Sequence, residues 1–233
     1  MENGAAPTAK PVIVAINGPS GTGKSSTSKA VAAQLGLSYL DTGAQYRAIT
    51  WWMVNNGIDL TDPTAVAAVA GKADIVSGTD PAAPTITVDG VDVAAAIRTQ
   101  EVTSKVSAVS AVPEVRARIT ELQRSLAARA ERGIVVEGRD IGTTVLPDAD
   151  LKIFLTASPE VRAKRRHLEL TEKGIKDTYE KVLADMKQRD LQDSTRPIAP
   201  LKQAEDAVLL DSSLLTLEET LAAMKAIVGE KLK

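Results

Sequence analysis

The chain has 233 residues, 44% hydrophobic and 25% charged, a composition that supports a sizeable core and excludes disordered and fibrous chains. Lys plus Arg (28) nearly balance Asp plus Glu (30), and the formal charge of −2 argues against a general nucleic-acid or membrane-surface binder. With no cysteine, a single histidine (His167) and 3% aromatics, disulfides, thiolate nucleophiles, zinc–cysteine sites and base-stacking platforms are excluded.

Residues 1–10 (MENGAAPTAK) hold no apolar stretch and are expected to form a loose leader rather than a signal peptide. No run reaches the ~20 apolar residues that span a bilayer, so a cytoplasmic location with no membrane partner is expected. The β-branched run VIVAI (12–16) predicts a strand covered on both faces, followed by a glycine-rich turn and a helix over 24–35. A short strand is expected to end at Asp41, and a helix to run over 43–56. Residues 134–136 and 151–155 predict two more buried strands, and 207–210 a fourth of the same kind before a closing helix over 216–232. Further helices are predicted over 113–132, 159–173 and 177–190. Strands alternating with helices predict an α/β fold with a parallel sheet flanked by helices.

Two segments break this rhythm. Residues 59–110 predict an alanine-rich helix, then short strands near 75–76, 85–88 and 91–93, with Asp89-Gly90 as a hairpin signal. They are expected to be a small α+β insertion. Residues 158–197, dense in charge, are expected to form a mobile helical lid. The remaining core would then comprise 11–58, 111–157 and 198–233.

Gly18-Pro19-Ser20-Gly21-Thr22-Gly23-Lys24-Ser25 matches G-x-x-x-x-G-K-[ST] between a predicted strand and a predicted helix. Its glycines let backbone N–H groups converge on phosphate oxygens at a helix N-terminus, with Lys24 as a mobile cation for the β- and γ-phosphates. The Ser25 hydroxyl is an expected ligand of Mg²⁺, and Ser26 is counted with the ATP-binding loop. Neither D-x-x-G nor N-K-x-D occurs, which argues against a GTPase.

An anionic acceptor is expected opposite this loop. Asp41, Thr42 and Arg47 surround the start of the second helix, with an ordinary helix cap plus a solvated arginine as the alternative. Glu137 ends a buried strand and could hold a water on the magnesium ion; Arg139 could grip phosphate oxygens, or the two could form a structural pair. Arg162, Arg165 and Arg166 share a helical face, with Arg165 expected at the ATP and solvation as the alternative for Arg165 and Arg166. Arg189 and Arg196 bracket a helix end and are expected near the core. Transfer between phosphates needs positioning and charge neutralisation rather than a covalent or basic side chain, so the missing triad is no obstacle.

From about Val12 onward the sequence resembles the bacterial-type cytidylate kinases, a family of P-loop nucleoside monophosphate kinases. The likeness rests on I-N-G-P-S-G-T-G-K-S-S, L-D-T-G-A-Q-Y-R, I-R-T-Q-E-V, V-V-E-G-R-D-I-G-T, K-I-F-L-T-A-S, R-D-x-x-D-S-T-R and V-L-L-D-S-S. The resemblance implies ATP-dependent phosphorylation of CMP or dCMP, with the 59–110 insertion as the monophosphate-binding domain. It implies cytosine recognition by Ser107, Arg116 and Asp140. The acceptor phosphate and sugar would be held by Thr42, Arg47, Arg139, Arg189, Asp193 and Arg196, with Lys24, Arg139, Arg189 and Arg196 stabilising the transferred group. A monomer is expected. Another small acceptor, such as a different monophosphate or a shikimate-like metabolite, and a nucleotide-gated binding protein are the alternatives. Two residues depart from the family pattern: Asn17 stands where aspartate is expected, and Gln45 where a hydrophobic residue is usual.

Overall fold

The computed structural model describes residues 10–232, so the expected leader, apart from Lys10, lies outside the described residues. The first half of the chain forms β1 (Val12–Asn17), α1 (Lys24–Leu35), β2 (Ser38–Asp41), α2 (Thr42–Asn55), α3 (Pro63–Val69), β3 (Ile75–Ser77), β4 (Ile86–Val88), β5 (Val91–Asp92) and α4 (Gln100–Ala111). The second half forms α5 (Pro113–Ala128), β6 (Gly133–Gly138), β7 (Leu151–Thr156), α6 (Pro159–Glu172), α7 (Tyr179–Thr195), β8 (Val208–Asp211) and α8 (Leu217–Lys231).

The main sheet runs β2-β6-β1-β7-β8, with every neighbouring pair parallel. Period-2 alternation sends Val14, Ile16 and Val135 to the face covered by α1 and α8, where they pack with Val31, Met224 and Val228. Ala15, Ile134 and Val136 face the other way, onto Ala127 at the end of α5 and Ile141 and Val145 of the following turn. Both faces are therefore dry, as an all-parallel sheet requires. The strands' carboxyl ends line up along one edge, with Asp41, Glu137, Asn17 and Asp211 at or beside it. Ligands of open α/β sheets collect outside that edge.

Three expectations needed correction. β8 was expected to be as buried as the central strands, yet Val208 and Leu209 are 41% and 55% exposed. It pairs only with β7 and forms the sheet edge, a difference that a four-residue apolar run does not encode. Helix α4 was not expected, because QEVTSKVSAVSA is rich in β-branched residues and serine. Burial of Val102, Val106 and Val109 along one face overrides that weak propensity. The second helix of the 158–197 segment was expected to stop at 190, but α7 continues to Thr195, which puts Arg189 well inside the helix rather than near its end.

The strands β3-β4-β5 form the expected antiparallel sheet. Asp89 and Gly90 both have positive φ (50° and 79°), the geometry a tight hairpin turn needs. One apolar cluster joins Ile49 and Met53 of α2, Val66 of α3, Ile75 and Val88 of the small sheet, Val109 of α4 and Ile119 of α5. It crosses the boundaries drawn at 58 and 110, so α2 and α5 belong as much to the insertion's packing as to the main sheet's.

Candidate active site

The phosphate loop leaves β1 at Gly18, whose φ of +153° and position leave no room for a side chain: a Cβ would lie 2.0 Å from the Leu155 carbonyl oxygen. The loop then turns into α1 at Lys24. That lysine is buried, and its ammonium donates to the Pro19 carbonyl at 2.6 Å and to Thr22 Oγ1 at 3.4 Å. Burial, aided by the Arg139 charge, pushes the ammonium's pKa well below the usual lysine range. Asn17, where aspartate was expected, has a plain structural role. Its Oδ1 accepts from the backbone N–H groups of Ile141 (3.0 Å) and Gly142 (3.3 Å) and so anchors the turn after Asp140. An amide oxygen serves that purpose as a carboxylate would.

Beside the loop, the parallel register sets Asp41 directly against Glu137. Glu137 shares the face of Val135, which directs it toward the start of α1. Tyr39, register partner of Val135, donates its hydroxyl to Glu137 Oε1 at 2.5 Å. Burial and the neighbouring Asp41 charge hold the Glu137 carboxyl above the ordinary carboxylate range. The same burial and the Glu137 charge raise the Tyr39 hydroxyl, which stays a donor. Asp41 caps α2 by accepting from the Ala44 N–H at 3.0 Å, and its other oxygen lies 3.7 Å from Arg98. The ordinary cap reading of Asp41 therefore holds alongside its place at the site. Thr42 donates to the Glu137 carbonyl at 2.6 Å, binding α2 to the end of β6.

A cluster of guanidinium groups continues from Lys24. Arg139 donates to Asp193 of α7 at 2.9 Å. Arg47 of α2 donates to Thr103 of α4 at 2.7 Å. The charge of Arg139 reaches Lys24, Arg47 and Arg189 alike and opposes protonation of each. Arg189 is pushed down to about 10, with burial as the main cause, and its Nε is buried without a partner. Asp193 is held below the ordinary carboxylate range by Arg139 and Arg189, against its own burial. Cations that oppose one another's protonation, only partly compensated by acids, would be relieved by an anion.

Next to this cluster, Arg116 pairs with Asp140, both buried, and donates to the Ser110 carbonyl at 3.2 Å. Its guanidinium lies 5.4 Å from the centre of the Tyr46 ring. Arg196 reaches Asp140 at 3.5 Å and donates to the Ala199 carbonyl at 2.7 Å. Ser107 is half-buried on α4, one turn beyond Thr103 on the same side of the helix.

Arg165, expected at the ATP, donates its guanidinium to the carbonyls of Ser212 (2.7 Å) and Leu215 (3.0 Å), bracing the loop after β8. Arg166 pairs with Glu169 at 3.0 Å on an exposed face, while Arg162 is buried beneath the phosphate loop. Shared helical spacing thus sends three arginines to three destinations. Gln45 is fully buried and donates Nε2 to Ser77 Oγ at 3.1 Å, tying α2 to β3. Sequence reasoning missed Tyr39 and Tyr46, which contact Glu137 and Arg116. For Tyr39 a signal existed, since strand alternation toward Glu137 follows once β2 and β6 are paired.

A parallel sheet with a strand–phosphate loop–helix at its centre, facing a cluster of arginines at the strand ends, defines a P-loop kinase. The chain belongs to the cytidylate kinase family: that family's sequence model, described as Cytidylate kinase, matches residues 14–230. Relatives named cytidylate kinase, from Streptomyces avermitilis and Streptomyces coelicolor, are 73% and 72% identical over 231 residues, covering 99% of this chain and 98% of each relative. Among solved structures, TT1252 from Thermus thermophilus aligns at TM-score 0.48 and 21% identity over 94% of this chain and 97% of that one, a likeness too loose to add to the assignment.

Proposed function

We propose that this chain transfers the γ-phosphoryl group of ATP to CMP or dCMP, giving ADP and CDP or dCDP. The observation that carries the reading is the set of cationic side chains, Lys24, Arg139, Arg189 and Arg47, whose charges act on one another, with Asp193 and Arg196 leading from Arg139 to the buried Arg116–Asp140 pair. The family's name supplies the substrate that such an arrangement fits.

The loop Gly18–Ser26 would wrap the triphosphate with backbone N–H groups. Lys24 would exchange the Pro19 carbonyl for the β- and γ-phosphates, whose charge restores its own. Arg47 and Arg139 would hold the acceptor phosphate, while Arg189 and Arg196 neutralise charge between the two nucleotides. An acceptor phosphate oxygen attacks the γ-phosphorus, the bond to the β–γ bridging oxygen breaks, and ADP leaves. With a second pKa near 6, the acceptor is already ionised near neutral pH and the protein supplies no base. Cytosine has a distinct donor and acceptor edge, which Ser107, Arg116 and Asp140 would read. Thr42 and Asp193 would adjoin the phosphate and sugar. The segment 158–197 would act as the lid that excludes water. The insertion, 59–110 with α2 and α5 packed into it, would position the monophosphate against the core built from 11–58, 111–157 and 198–232.

The residues also fit a magnesium ion. Ser25 and Glu137 offer hard oxygen donors, and a divalent cation would relieve the charge that burial and Asp41 disfavour on Glu137. Among the described residues no group of three or more acidic, histidine or cysteine side chains converges, so the protein would provide part of a shell completed by phosphate and water. When bound, Mg²⁺ supplies charge neutralisation on the phosphate oxygens.

The proposal includes a monomeric, cytoplasmic enzyme without nucleic-acid or membrane partners; the formal charge of −2 supports the absence of a polyanionic partner. Among the described residues, no helix is long and apolar enough to cross a membrane. ADP release measured with CMP, dCMP, UMP, AMP and shikimate as acceptors tests the reading. CMP or dCMP should exceed the others by at least about 10-fold in kcat/KM. A flat profile would overturn the cytosine assignment.

A further inference from the structure

Helix α7 meets the phosphate loop directly. A Cβ built on Gly21 would lie 2.7 Å from Met186 Cε of α7 and 3.2 Å from Arg162 Cβ of α6, so the loop's backbone is pressed against both lid helices. Arg162 is 3% exposed, and each of its three guanidinium nitrogens donates to protein. Nε donates to the Ala157 carbonyl at 2.9 Å, Nη1 to the Ser20 carbonyl of the phosphate loop at 3.1 Å, and Nη2 to Asp190 Oδ2 at 2.6 Å. One planar fork thus ties the end of β7, the phosphate loop and α7 together.

Asp190 follows Arg189 and precedes Asp193 by one helical turn, so any shift or rotation that it imposes on α7 moves both acceptor-side residues. Its second oxygen, Oδ1, is buried without a partner. The pair is therefore monodentate and leaves an acceptor unsatisfied, which makes it easier to release than a bidentate pair.

We propose that Arg162 and Asp190 form a positioning latch that transmits occupancy of the phosphate loop to α7, so that ATP and the acceptor monophosphate bind cooperatively. Phosphates drawing in the loop's N–H groups move the Ser20 carbonyl, and the rigid guanidinium carries that displacement to Asp190. Arg189 and Asp193 follow with the helix. Neither latch residue need touch a nucleotide. The inference rests on the assignment of ATP and CMP to the two ends of the site.

Calorimetric titration of CMP into the full chain, with and without saturating Mg²⁺ and a non-hydrolysable ATP analogue, tests it. The unaltered protein should bind CMP about 5–20-fold more tightly in the presence of the analogue. Asp190→Ala and Arg162→Lys should reduce that enhancement to less than about 2-fold, while CMP affinity without the analogue moves less than about 3-fold. A merely structural loss of α7 would weaken CMP in both states alike. Asp190→Glu should retain most of the enhancement, and thermal melting of each variant checks folding. Enhancement undiminished in Asp190→Ala or Arg162→Lys, or CMP binding without enhancement in the unaltered chain, overturns the latch alone. No saturable CMP binding in the unaltered chain overturns the functional reading and the latch with it.

Discussion

The proposed donor and acceptor ends of the site are built by opposite means. The proposed donor end is nine consecutive residues, Gly18–Ser26, in which backbone geometry would do most of the holding and one buried lysine would supply the charge. The proposed acceptor end is assembled from side chains on α2 (Arg47), α5 (Arg116), the end of β6 (Arg139, Asp140) and α7 with its cap (Arg189, Asp193, Arg196). A backbone site tolerates little change of side chain, as the 2.0 Å approach of a Gly18 Cβ to the Leu155 carbonyl shows. A side-chain site can be opened and closed by moving a helix.

The sharpest way to break this comparison is Lys24→Met. We expect kcat to fall about 10³-fold, the order of magnitude for removing a preorganised charge from a developing anion. The melting temperature should hold or rise, because the substitution removes an ammonium that burial disfavours. Turnover near that of the unaltered chain would remove the lysine from the chemistry. The second expected effect belongs to the other end. Arg116→Met should lower kcat/KM for CMP about 100-fold and narrow the preference over UMP, with the KM for ATP unchanged. Equal loss for CMP and UMP would take Arg116 out of base recognition.

A smaller effect concerns protonation where the two ends meet. The folded pKa of Glu137 is raised, so its contribution to stability is fully present below the unfolded carboxylate's pKa and is lost as pH rises through the folded value. Without nucleotide, the melting temperature of the unaltered chain relative to Glu137→Gln should therefore decline from mildly acidic pH toward neutrality. A difference that grows with pH contradicts the raised value. The smallest effect is a control on the exposed surface of α6 and α7. Lys187 and Glu160 pair at 3.1 Å with side chains 53% and 57% exposed, and Glu160→Ala should leave the melting temperature nearly unchanged. A clear drop would show that the exposed pair, rather than buried Arg162, fixes α7 to α6.

The same contrast explains what could be read in the sequence. The phosphate loop, β1 and α1 were legible because a contiguous motif carries its own flanking elements, and the hairpin was legible from Asp89-Gly90. Pairings that depend on which helix packs where were not. Arg165 and Arg162 are indistinguishable on a helical wheel, yet one braces the loop after β8 and the other lies under the phosphate loop. The edge position of β8 and the helix at Gln100–Ala111 escaped for a related reason: strand neighbours and valine burial are tertiary facts that override local pattern. Asn17 looked like a departure near the chemistry and proved to be an anchor for the turn after Asp140.

The central claim is that one run of cations bridges a triphosphate and a pyrimidine monophosphate. A crystal structure with Mg²⁺, a non-hydrolysable ATP analogue and CMP tests it most directly. The account predicts the monophosphate within about 3 Å of the Arg47 and Arg139 guanidinium groups, its cytosine against Arg116 and Asp140, and Lys24 on the triphosphate. A monophosphate bound away from Arg47 and Arg139, or a cytosine pointing away from Arg116, would contradict it.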